Sequence, residues 1–254
     1  MNPVLVRELE IGVGMPKICV PITDTTERAI VESARIMHDF PVDLVEWRAD
    51  WFEGIDDWES VRSVLLQLRA VLADLPLLFT FRTKNEGGER EISYAQYDEL
   101  LRKVAASKVV DLIDVEMFVD ERVASLIHEI HQHGVKVVGS NHDFVKTPKQ
   151  EEIVRRLCFM QESVADIAKI SVMPQTEDDV KVLLMATQEM ATKHTETPVI
   201  TMAMGELGVV SRVSGEKFGS AVTFGTVGKA SAPGQMPVDE LKEILEILHR
   251  KEKQ

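Results

Sequence analysis

At 254 residues, with 44% apolar and 28% charged side chains, the chain has the size of one α/β barrel and enough apolar material for a large core. A formal net charge of −13 argues against nucleic acid and against an anionic membrane surface as partners. No apolar run approaches the ~18 residues of a membrane span. Cys19 and Cys158 provide neither a disulfide framework nor zinc spacing, and the N-terminus lacks a secretory pattern, so a reduced, cytoplasmic protein is expected.

In chain order, residues 4–12 alternate in polarity and predict a small β-hairpin. Eight short β-branched runs follow, at 17–23, 43–48, 77–83, 109–116, 135–141, 167–173, 198–204 and 221–225. Segments of helical periodicity lie between them, near 57–73, 94–107, 120–133, 176–193 and 206–218, and a last helix begins near Pro237. Asp24 with Glu27 resembles a capping box. Thr147, Pro148 and Gln150 read as an N-cap, a first helical residue and its reciprocal partner. Strand–helix units of roughly 30 residues, repeated eight times, predict a single-domain (β/α)8 TIM barrel over 1–254. An open doubly wound sheet is the alternative, but no Gly-rich dinucleotide loop follows the first strand.

Polar residues interrupt the strands in a pattern. Lys169 sits inside the apolar run 167–173, where a parallel strand is normally covered on both faces. An ammonium buried there must be paired or become neutral, and a neutral lysine can form a Schiff base with a carbonyl. The alternative is a strand-end lysine that snorkels into solvent. Glu46 and Arg48, Arg82, Asp114 and Glu116, and His142 cluster at the carboxyl ends of neighbouring strands, the rim where barrel active sites are built. With Arg212 they suggest a cationic pocket for a carbonyl compound bearing a carboxylate, the guanidinium groups holding the lysine pKa down. His142 is the natural general acid/base, and Glu86 is placed to orient it and to stabilise its protonated form. Gly87 and Gly88 allow that loop to approach a ligand. Asp114, Glu116, Glu46 and His142 are alternatively candidate metal ligands, a reading opposed by the cations on the same rim.

Seven segments in this order resemble the type I 3-dehydroquinate dehydratases of the shikimate pathway over nearly the whole chain. They are Glu46-Trp47-Arg48-Ala49-Asp50, the 77–82 strand ending in Arg82, Glu86-Gly87-Gly88, Ser140-Asn141-His142-Asp143-Phe144, Lys169 before Val172-Met173-Pro174-Gln175, Ser211-Arg212, and Ser231-Ala232-Pro233-Gly234-Gln235. The resemblance implies a lyase that uses no metal or organic cofactor, acts on 3-dehydroquinate and is commonly a homodimer. It implies that Lys169 forms the imine, that His142 moves the protons of a syn dehydration to 3-dehydroshikimate, and that Glu86 orients His142. Arg212 would bind the substrate carboxylate. Glu46, Arg48, Arg82, Ser231 and Gln235 would hold the ring hydroxyls and close the site, with Phe144, Met202 and Met204 as its apolar wall. Departures from the family pattern fall at Pro21, where relatives often carry Ser, and at Gly205-Glu206-Leu207-Gly208.

Two rivals keep the barrel. A class I aldolase would use the same lysine to cleave C–C bonds, although the 231–234 loop is a poor phosphate-binding match. A catalytically silent carboxylate-binding barrel would bind without turnover. The 231–235 loop, with Pro233 and Gly234, is expected to act as a ligand-ordered lid.

Overall fold

The computed structural model describes residues 2–228 and 232–252. A two-stranded antiparallel hairpin, β1 (Val4–Val6) and β2 (Leu9–Ile11), precedes eight parallel strands. These are β3 (Lys17–Ile22), β4 (Leu44–Arg48), β5 (Leu77–Thr80), β6 (Leu112–Glu116), β7 (Lys136–Asp143), β8 (Ile167–Val172), β9 (Val199–Ala203) and β10 (Val222–Phe224). They run in the order β10-β3-β4-β5-β6-β7-β8-β9. A parallel bridge between Val199 and Ser220, with Ala221 N donating to Val199 O at 2.8 Å, brings the two ends of the sheet together. The connections carry α1 (Glu27–Ile36), α2 (Trp58–Leu72), α3 (Tyr94–Ser107), α4 (Val123–Gln132), α5 (Gln150–Glu162), α6 (Glu177–Lys193), α7 (Val209–Val213) and α8 (Gly215–Phe218). The last helix, α9 (Val238–Glu252), follows β10. The barrel expected from the sequence is the one observed, hairpin included. No helix among the described residues is long and apolar enough to cross a membrane.

Strand alternation sorts side chains into two apolar clusters. Ile18, Val20, Trp47, Phe79, Val115 and Ile170 face the helices, meeting stripes such as Val61, Val64, Leu65, Leu68 and Leu72 of α2. The opposite parity contributes Cys19, Leu44, Leu78, Leu112, Val138, Ile167 and Val222 to a second cluster that includes Val6 and Ile11 of the hairpin. The hairpin thus plugs the amino end of the barrel. Each fully buried Leu, Ile or Val contributes about 1.5–3 kcal/mol relative to exposure. This lower layer is the platform on which the polar layer rests.

A repeated device secures the amino ends of the strands. Asp43, Asp111 and Asp166 each stand immediately before a strand and accept the backbone N–H at or near the start of the preceding one. The donors are Ile18 N, Leu77 N and Val137 N at 2.7, 2.8 and 2.8 Å. Burial works against the Asp166 carboxylate, but His131, the Val137 N–H and Lys136 together hold it below the usual carboxylate range.

Three local expectations are corrected. α1 is capped by Thr26, whose Oγ1 accepts from Ala29 N, while Asp24 accepts from the Ser33 hydroxyl at 2.6 Å. α5 begins at Gln150 rather than after Thr147. The Asp143 carboxylate accepts from Val145 N and Lys146 N, and this turn delays the helix until Glu151 and Glu152 occupy its first turn. The helix expected over 206–218 is a 3-10 turn (Glu206–Gly208) followed by α7 and α8, interrupted at Ser214.

Candidate active site

Along the inward faces of β4, β6, β7 and β8 the side chains change from apolar to polar toward the carboxyl end. On β8 the inward residues are Ile167, Lys169 and Ser171; on β7 they are Val138, Ser140 and His142. β4 similarly passes from Leu44 to Glu46 and Arg48, and β6 from Leu112 to Asp114 and Glu116. A cavity at this end is lined by Glu46, Arg48, Arg82, Glu86, His142 and Lys169, with an apolar wall of Phe144, Met202, Met204 and Phe224. Gln235, Pro233 and Ala232 lie at its edge.

Lys169 is only 4% exposed, so it does not snorkel. Its Nζ lies 3.2 Å from Asp114 Oδ2, 3.5 Å from Glu46 Oε1 and 4.8 Å from the centroid of the Phe224 ring. The charged groups immediately against the nitrogen are therefore carboxylates, where the sequence reading expected guanidinium groups. Parallel registry explains this: Lys169 faces Ser140, whose hydroxyl donates to Asp114 Oδ1 at 2.5 Å, so β6, β7 and β8 converge on one level.

His142 is diagonal to Lys169 on the neighbouring strand, two residues beyond Ser140. Glu86 reaches it from a 3-10 turn (Lys84–Glu86) after β5. Glu86 Oε2 accepts from His142 N at 3.0 Å and shares a 2.9 Å hydrogen bond with His142 Nδ1. Glu86 Oε1 accepts from the Asn141 amide at 3.0 Å. Gly87, at φ 84°, places its backbone where a Cβ would collide with the Phe144 ring, and a Cβ on Gly88 would strike Arg82 O. The glycines are needed for close approach of the loop to the strand ends. Burial pushes the Glu86 carboxyl up to about 8 against the attraction of Arg82, with Glu116 adding to the rise. Burial, then Arg82, Lys169 and Arg48, holds the His142 imidazole well below its ordinary value. The pair is thus set with a neutral imidazole whose Nδ1 is already engaged.

The arginines have distinct settings. Arg82 donates to Asp114, Glu116 and Ser140, and its Nη1 is 3.5 Å from Glu86 Oε2. Burial disfavours its charge, but Asp114, Glu116 and Glu86 keep it charged. Its first effect is to hold carboxylates in place. Arg48 makes a two-pronged pair with the fully buried Asp50, which also accepts from Arg82 N and Glu89 N. Arg212 is 2% exposed and does not line the cavity itself; its Nη2 donates to Pro233 O at 2.9 Å. Its Nε and Nη1 have no partner among the described residues, and burial lowers its pKa to about 10. Ser231 lies outside the described residues.

The candidate metal ligands are committed elsewhere. Asp114 pairs with Lys169 and Arg82, Glu116 with Arg82 and Thr83, and Glu46 with Thr80 and Lys169. No cluster that could hold a metal ion occurs among the described residues. Sequence reading gave no role to Ser140, Asn141 or Phe224. Asn141 has outward parity, and the Phe224 contact with Lys169 spans the barrel, so those two contacts do not follow from local spacing.

The sequence profile of the type I 3-dehydroquinase family matches residues 18–252. The chain is 50% identical over 248 residues to the 3-dehydroquinate dehydratase of Bacillus licheniformis, covering 97% of this chain and 98% of the relative. It is 49% identical over 248 residues to that of Clostridioides difficile, covering 97% of each. A crystal structure of the type I enzyme from Clostridium difficile, described with covalently modified comenic acid, superposes with a TM-score of 0.96 at 48% identity, covering 98% of this chain and 99% of that one. The chain belongs to the type I 3-dehydroquinase family, the 3-dehydroquinate dehydratases, and is a hydro-lyase.

Proposed function

We propose that the enzyme dehydrates 3-dehydroquinate in the shikimate pathway through an imine on Lys169, with syn loss of water to give 3-dehydroshikimate. One observation carries this reading: a buried lysine and an imidazole line one cavity, with the imidazole already hydrogen-bonded to a carboxyl. The amine adds to the ketone and loses water to form an iminium, which acidifies the neighbouring C–H. Neutral His142 removes that proton, leaving an enamine. The imidazolium returns a proton to the departing β-hydroxyl, and hydrolysis of the resulting conjugated iminium frees Lys169 and the enone product. Phe224 covers the Lys169 nitrogen, while Asp114 and Glu46 stabilise positive charge there.

In this reading Arg212 takes the substrate carboxylate, supported by the two unpartnered nitrogens of its buried guanidinium. Glu46, Arg48, Arg82, Ser231 and Gln235 hold hydroxyls, and Phe144, Met202 and Met204 form the apolar wall. The 231–235 loop is assigned as a lid ordered by ligand; Pro233 within it already meets Arg212, the residue given the substrate carboxylate. That the Clostridium difficile structure is described with covalently modified comenic acid supports the covalent reading. The family likeness also supports a single catalytic domain working without metal or organic cofactor, as a cytoplasmic homodimer; the free Cys19 and Cys158 are consistent with a reducing compartment.

Enone absorbance followed with purified enzyme and 3-dehydroquinate tests the proposal. The wild type should generate the enone, and Lys169→Ala should lose turnover. An active Lys169→Ala enzyme would overturn the mechanism, and two carbonyl fragments in place of the enone would indicate aldol cleavage.

A further inference from the structure

Asn141 precedes His142 on β7 and has the opposite parity, so its side chain reaches the site by a different route. Its amide nitrogen donates to Glu86 Oε1 at 3.0 Å, and its carbonyl oxygen accepts from Arg156 Nη1 at 2.9 Å. Arg156 lies on α5, and its Nε donates to Glu152 Oε1 at 2.7 Å, one turn earlier on that helix. Glu152 is itself held down to about 2 by Arg155 and Arg156. Neither Arg156 nor Asn141 lines the cavity.

An amide presents an acceptor at one end and a donor at the other. Because Arg156 has only donors, it holds the Asn141 oxygen toward itself and leaves the NH2 for Glu86. Without it, the amide is free to turn its oxygen toward the Glu86 carboxyl. We infer that Arg156 is a positioning residue for the reaction, acting through Asn141 to hold the Glu86 carboxyl in the orientation that engages His142.

The inference rests on the roles proposed for Glu86 and His142. The charged and titratable groups facing Glu86 are Arg82 just after β5, Asp114 and Glu116 on β6, and His142 on β7. Arg82 and the Asn141 amide favour the carboxylate; Asp114 and Glu116 oppose it. Loss of the amide bond therefore moves Glu86 ionisation to higher pH, from a starting point of about 8.

The test is the kcat–pH profile of Arg156→Met, which keeps an apolar stem but no donor, beside Arg156→Lys, with thermal unfolding to verify folding. Arg156→Met should lower kcat about tenfold and move the Glu86 ionisation upward by about one unit, the scale of one charge-assisted hydrogen bond, with KM within about twofold. Arg156→Lys should show about half that displacement, because one ammonium cannot hold both Glu152 and Asn141 in the two-pronged manner of a guanidinium. A folded Arg156→Met with an unmoved profile overturns the inference, even if kcat falls uniformly. Should Arg156→Met fail to fold, an unmoved Arg156→Lys profile overturns it alone. Borohydride trapping on the same wild-type sample separates the levels: no label on Lys169 refutes the proposed mechanism, whereas normal labelling with unmoved profiles refutes only the role of Arg156.

Discussion

Lys169 Nζ lies 3.2 Å from Asp114 Oδ2, with both side chains sealed from bulk solvent. The same carboxylate receives Arg82 Nη2 at 2.8 Å, so one anion on β6 links the lysine of β8 to the arginine that follows β5. Burial opposes ionisation of Asp114, but Arg82, Lys169 and Ser140 hold its pKa below the ordinary value. The lysine is consequently part of a compensated charge network.

Removing that anion leaves two buried cations short of a partner. Asp114→Asn should reduce unfolding free energy by about 3 kcal/mol or more, since a broken buried pair costs more than the pair contributes. Urea unfolding of the variant beside the wild type measures this. A loss below about 1 kcal/mol would show that the network relaxes around the change.

His142→Ala should separate the two halves of the reaction. The variant retains Lys169 and its carboxylate neighbours, so it should still condense with ligand while turnover falls by about 100-fold or more. Intact mass after borohydride treatment detects the adduct, and enone absorbance reports turnover. Near-normal turnover would remove His142 from the proton transfers.

The depressed His142 pKa fixes the sign of a pH effect. An imidazole whose neutral form is favoured stays available as a base below the ordinary histidine value of about 6.5. The ionisation of His142 itself, followed by its ring-proton NMR signals and distinct from that of Glu86 at about 8, should therefore fall below that value. A His142 midpoint at or above it would contradict a buried neutral base.

Asp166 offers a stability test away from the site. Its folded-state pKa is depressed, so its contribution is fully present above the unfolded value of about 3.9 and is lost as pH falls through the lower folded value. Asp166→Asn should cost about 1–3 kcal/mol at neutral pH, and the gap from wild type should narrow in acid. Denaturant titrations across that range measure the gap; one that widens in acid would reverse the assigned sign.

Much of this architecture was legible because β-strand parity is a local property. Glu46 with Arg48, Asp114 with Glu116, and Lys169 within an apolar run announce an inward polar layer before any coordinates are known. The partners of those groups were less legible. Whether Lys169 meets arginines or carboxylates depends on the registry of β6, β7 and β8, which sequence spacing does not encode. Asn141 carries outward parity, yet it reaches Glu86 because the loop after β5 folds over the strand end. The start of α5 was misplaced for a similar reason: the Asp143 side chain competes for the backbone N–H groups of the following turn.

Reductive trapping tests the central claim most directly. With 3-dehydroquinate or the product present, borohydride should convert the imine to a stable secondary amine, abolish activity and leave the added mass on the peptide containing Lys169. An unlabelled enzyme that retains activity after the same treatment, or a label confined to another lysine, would contradict the account.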